Sequence, residues 1–143
     1  RVRQQFPVLR YGRLYPRPIS IFDRPFADAA AGEIIAWSRI LDEEEALCIV
    51  NGHGTAARGA DVVVDARLNA MDAPGLPWNG AIPNFEVVAN SAQAAHAVLH
   101  PDQDYTGPHP IGQRLPVQAR DGALFVAIRD VPASEVLVLI NRI

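Results

Sequence analysis

From position 12 onward the apolar residues come in short runs of period two, interrupted about every ten residues by Pro, Gly, Asn or Asp. No fold built mainly of helices is compatible with that rhythm, because a helix needs apolar positions recurring at three and four over ten residues or more. The pattern belongs to an antiparallel sheet with one face in a core and one in water.

Residues 12–20 read as an extended segment in which Pro16 and Pro18 exclude a central strand and favour an edge or a connecting arm. Residues 33–41 and 46–51 are β-rich runs joined by Asp42, Glu43, Glu44 and Glu45, a connection of hairpin length. That acidic tip reads as a solvated loop, not a metal site. In residues 61–68 the apolar Val62, Val64, Ala66 and Leu68 share one face, and Asp61, Asp65 and Arg67 fall on the other.

Residues 69–83 form a loop rich in Gly, Pro and Asn, and a strand follows at 85–90. The Ala-rich residues 91–99 suit a helical turn or a further strand, and residues 100–112 read as irregular. Residues 113–120 and 123–129 flank Asp121-Gly122, a pair that readily takes φ > 0 and closes a two-residue hairpin. Residues 136–140 are continuously apolar, as in a strand buried on both sides. Seven or eight short strands at this spacing predict an all-β domain, an antiparallel Greek-key β-sandwich.

Ahead of the strands, Val2, Phe6 and Leu9 fall on one helical stripe until Pro7 bends or ends it. So short a helix is marginal alone. It reads as the truncated tail of a longer helix, giving residues 1–11 as tail and linker and residues 12–143 as the all-β domain.

The 143 residues, 49% apolar, suffice for one hydrophobic core. A net charge of −3 leaves no basic footprint for nucleic acid or an acidic membrane. No apolar run nears the ~18 residues of a membrane span, and no signal-peptide pattern opens the chain. All thirteen basic residues are arginine, from which no chemistry follows. The single cysteine, Cys48, lies in the apolar run of residues 46–50 and reads as a buried thiol that leaves the compartment open.

Each catalytic or metal constellation lacks a part. Asn51-Gly52-His53-Gly54-Thr55 follows a strand but has neither the Lys-Ser/Thr pair of a phosphate loop nor the third glycine of a dinucleotide fingerprint. His96 and His100 are spaced as zinc ligands on a helix, yet the glutamate of that motif is missing and Pro101 cuts the helix. Asp102 and Asp104 resemble the start of a calcium loop without its glycine or distal glutamate. No serine sits in a nucleophile elbow. The expectation is no catalytic residue, no metal and no cofactor. Trp78, in a Pro/Gly loop, and Tyr105 are the candidate carbohydrate-binding rings, and Trp37 is expected in the core or at a domain interface.

Residues 6–13 (FPVLRYGR), 32–39 (GEIIAWSR) and 46–51 (ALCIVN) resemble the passage from the last barrel helix into the C-terminal β-domain of alpha-amylase-like glycoside hydrolases. The closing hairpin around Asp121-Gly122 and residues 136–141 (VLVLIN) are similar to how such domains end. Residues 69–112 match nothing in that pattern. Family members act on α-glucosidic bonds with carboxylates of a (β/α)8 barrel, which needs ~250 residues and is not contained in these 143. No position matches a family catalytic or calcium-binding motif, so none is carried over.

What the resemblance implies is a non-catalytic accessory domain whose partner is the barrel of the same polypeptide, with Phe6, Leu9, Tyr11 and Tyr15 as the expected domain-interface residues. The alternative is an autonomous module that binds α-glucan through Trp78 and Tyr105.

Overall fold

A computed structural model describes residues 5–21, 24–29, 32–69 and 83–142. It is all-β, as the sequence predicts, with nine antiparallel strands among the described residues: β1 Arg13–Pro16, β2 Ile19–Ser20, β3 Ile34–Leu41, β4 Glu44–Asn51, β5 Arg58–Val63, β6 Asn84–Asn90, β7 Arg114–Arg120, β8 Ala123–Val131 and β9 Val136–Arg142. They are hydrogen-bonded in one continuous order, β1-β3-β4-β9-β6-β7-β8-β5-β2. The sheet stays continuous because β7 changes partner along its length: Arg114, Leu115 and Pro116 pair with β6, and Val117 to Arg120 pair with β8.

The two ends of that order belong to one stretch of chain. β1 and β2 are separated only by Arg17 and Pro18. The Arg17 N–H donates to the Ala36 carbonyl (3.0 Å), continuing the pairing with β3, and the Pro18 carbonyl accepts from the Val63 N–H (3.1 Å), continuing the pairing with β5. The prolines confine this segment to an edge role, and it serves two edges at once, joining the margins of a curled sheet.

Side chains from the inner face of the curl fill the main core. Phe85, Ile34, Leu47, Ile49, Ile128, Leu137 and Leu139 are fully buried there, each position alternating with an outward one as the pleat requires. Two turns set the register. Asp121 (φ 54°) and Gly122 (φ 76°) close the β7–β8 hairpin as the sequence predicts. In the β3–β4 hairpin the turn is only Asp42 (φ 53°) and Glu43. Glu44 and Glu45 therefore pair as strand residues with Leu41 and Ile40, and Glu45 is buried, so the expected solvated loop is corrected at that position.

The undecided residues 91–99 form a helix, Ser91–Leu99, whose N-cap Asn90 accepts the Gln93 N–H and whose end coincides with Pro101. Gln5 is helical and Phe6 is not, so the helical path breaks at Phe6-Pro7, as the sequence predicts. Pro7 stands at the N-cap of a second, short helical turn, Val8–Tyr11, where a missing N–H costs nothing.

Candidate interaction surface

The helical turn sits on the outer face of the sheet. Val8 and Leu9 are buried against Ala46, Cys48 and Ile140, with Phe6, Trp37, Leu41, Val88 and Val138 around them. Burial pushes the Cys48 thiol up to about 11, with the Arg39 charge acting in the opposite sense, so it stays protonated and inert near neutral pH. Of the four expected interface residues, Leu9 and Phe6 are thus engaged within the domain, while Tyr11 and Tyr15 are exposed. Each tyrosine ring carries a guanidinium, Arg10 at 5.1 Å from Tyr11 and Arg17 at 5.6 Å from Tyr15. Leu14, between them, is also exposed and lies directly opposite Arg39 on β3.

The small outer core covers only part of that face. One row further along, Ile35, Val50 and Val136 are cross-strand neighbours on β3, β4 and β9. Ile35 is 47% exposed and Val136 is also open to solvent. An outer face meant only for water would carry polar residues at these alternate positions. The uncovered row is continuous with the covered one through Trp37, Cys48 and Val138, which are the next outward positions on the same strands.

The remaining candidates are placed as follows. Trp78 lies outside the described residues. The Tyr105 ring lies in a T-shaped contact with His96 at 5.8 Å, and its hydroxyl donates to the Pro108 carbonyl at 2.8 Å, so ring and hydroxyl both have partners within the domain. The His96 and His100 rings are 5.2 Å apart, with His96 Nε2 3.0 Å from the Gln103 carbonyl oxygen. Among the described residues no three His, Cys, Asp or Glu side chains gather as metal ligands would.

Two buried carboxylates escaped the sequence reading. Glu45 accepts from Arg17 (3.0 Å), Ser38 (2.5 Å), the Asp65 N–H (3.1 Å) and Asn69 (2.8 Å). Asp61, expected on a watery face, is buried and bridged by Arg120 and Arg129, each at 2.8 Å. For Glu45 a signal did exist: it is in phase with Leu47 and Ile49, both inward. Beside the Asp61 pair a shallow depression of about 370 Å³ is rimmed by Glu33, Arg58, Arg129 and Asp130. It forms where a register shift between Arg58 and Ala60 bends β5 against β8.

Compared with known proteins, the chain matches no protein-family model, no curated protein and no solved structure.

Proposed function

We propose that the chain is the non-catalytic C-terminal accessory domain of an alpha-amylase-family glycoside hydrolase, seated on the catalytic (β/α)8 barrel and stabilising it. The observation that carries this reading is the half-covered outer face. A helical turn already extends an apolar layer over Ala46, Cys48 and Ile140, and the adjoining row of Ile35, Val50 and Val136 is left for another body to cover. Apolar area removed from water there stabilises by ~25 cal/mol per Å², and surfaces between domains of one chain bury ~600–1,500 Å².

The test is a fusion. Placed behind a (β/α)8 barrel of that family, the chain is expected to raise the barrel's Tm by ~2–4 °C for each kcal/mol of interface. Ile35→Glu combined with Val136→Glu should remove that gain while the domain's own midpoint stays put. A barrel whose Tm ignores the fused domain overturns the reading. Saturable quenching of Trp fluorescence by maltoheptaose that disappears in Trp78→Ala would replace it with a glycan-binding module.

A further inference from the structure

The loop between β4 and β5 is tied by two side chains. Buried Asn51 donates from Nδ2 to the carbonyls of Ala56 (2.9 Å), Val131 (2.9 Å) and Pro132 (3.2 Å), and its Oδ1 accepts the His53 N–H (2.8 Å). His53 then turns its ring back on its own loop. Nδ1 accepts the backbone N–H of Thr55 at 3.1 Å and of Ala56 at 2.9 Å. Ala56 is consequently gripped at both ends, its carbonyl by Asn51 and its N–H by His53.

That geometry fixes the chemical form of the ring. Nδ1 must hold a free lone pair, so the proton sits on Nε2. We propose that His53 is a proton-operated latch: a proton on Nδ1 and the two N–H bonds cannot coexist, and acid releases the N–H groups of Thr55 and Ala56 from the ring.

The charged groups on the elements packed around the loop are Glu33 ahead of β3, Arg58 at the start of β5, Asp130 in β8 and Glu135 before β9. Arg58 lies 3.9 Å from Glu33, and the Glu135 carboxylate accepts from the Ser91 hydroxyl. The Glu33 and Glu135 backbones hold the loop's base, their carbonyls accepting the N–H of Gly52 (3.1 Å) and Asn51 (3.0 Å), and the Ser134 N–H donates to the His53 carbonyl (3.1 Å). These bonds do not involve the ring, so the base stays in place when the tip is freed.

His109 makes the contrast. Its Nε2–H donates to the Arg129 carbonyl and its Nδ1 lies 2.8 Å from Gln113 Oε1. Both ring nitrogens face oxygen atoms, and a second proton there breaks neither contact. The contacts of His109 thus lack the feature that makes His53 a latch, an Nδ1 that accepts backbone N–H groups. A Cβ at Gly52 would stand 3.7 Å from Ile35 Cδ1, so the loop borders the uncovered apolar row. If that row is the seat of the barrel, a consequence that rests on the proposed function, acid reshapes its rim.

The experiment is amide hydrogen exchange by NMR on the chain itself, so it stands or falls without any barrel. Corrected for intrinsic rates, protection of Thr55 and Ala56 is expected to fall about tenfold, the change one net hydrogen bond supports, when the sample is taken from about pH 8 to about pH 5. His53→Asn offers Oδ1 as a non-titrating acceptor for the same N–H groups, and there the fall should vanish. Unchanged protection in the native chain, an equal fall in His53→Asn, or ring ¹⁵N shifts showing Nδ1–H at pH 8 would each overturn the latch.

Discussion

Glu45 and Asp61 sit at opposite ends of the segment that joins the sheet's margins, and they are held by different physics. Glu45, with 0% exposure, gathers one guanidinium and three neutral donors from β3, the joining segment and the turn that follows β5. Asp61 is nearly as buried, yet both its partners are cations. Arg120 also donates to Ser20 (2.7 Å) and stacks over Phe26 and Phe125, while the side chain of Arg129 is 51% exposed. One end is a dry network around a carboxylate with no exposure, and the other is a charge pair with a door to solvent. A dry network fails all at once when its centre is removed, because the remaining buried charge has nowhere to go. A pair open to water loses less, since the exposed partner rehydrates.

The comparison predicts a ranking in urea unfolding. Glu45→Ala should cost most, ~3–5 kcal/mol, the range for a buried ion that loses its partner. Asp61→Asn should cost ~1–3 kcal/mol, because Arg120 keeps Ser20 and its ring contacts and Arg129 turns to water. Equal losses in these two variants would erase the distinction. Arg129→Ala should cost less than ~1 kcal/mol, and its cost should shrink further in 1 M salt, where the Debye length is ~3 Å. A salt-dependent loss in Glu45→Ala would mean that water reaches the first site too.

The hairpins could be seen in the sequence because they rest on local chemistry. Asp121-Gly122 supplies the positive φ of its turn, and the phase of Leu47 and Ile49 fixes which side of β4 faces the core. The same phase points Glu45 inward, but charge outweighed period in the reading of that tip. Asp61 was hidden for a different reason: its partners lie 59 and 68 residues away, on β7 and β8, and only the closed curl brings them within reach. The helix Ser91–Leu99 was ambiguous because alanine marks neither face, and no residue of it is buried. Its cap Asn90 and the stop at Pro101 were the available signals. The interface residues divided for a similar reason. The stripe of Phe6 and Leu9 shows that the turn is amphipathic, but not that its cover is the domain's own sheet.

The junction at Arg17 and Pro18 also sets a phase. On one side Pro16 is registered against Trp37, and on the other Ile19 is registered against Val62. Because successive residues of a strand face opposite ways, one residue inserted between those pairings would turn either Ile19 out of the core or Pro16 and Leu14 into it. Neither half can slide to absorb the error, since each is held by its own neighbour. The length of this two-residue junction is therefore as much a part of the fold's specification as any core side chain, and indels should be tolerated in the loops long before they are tolerated here.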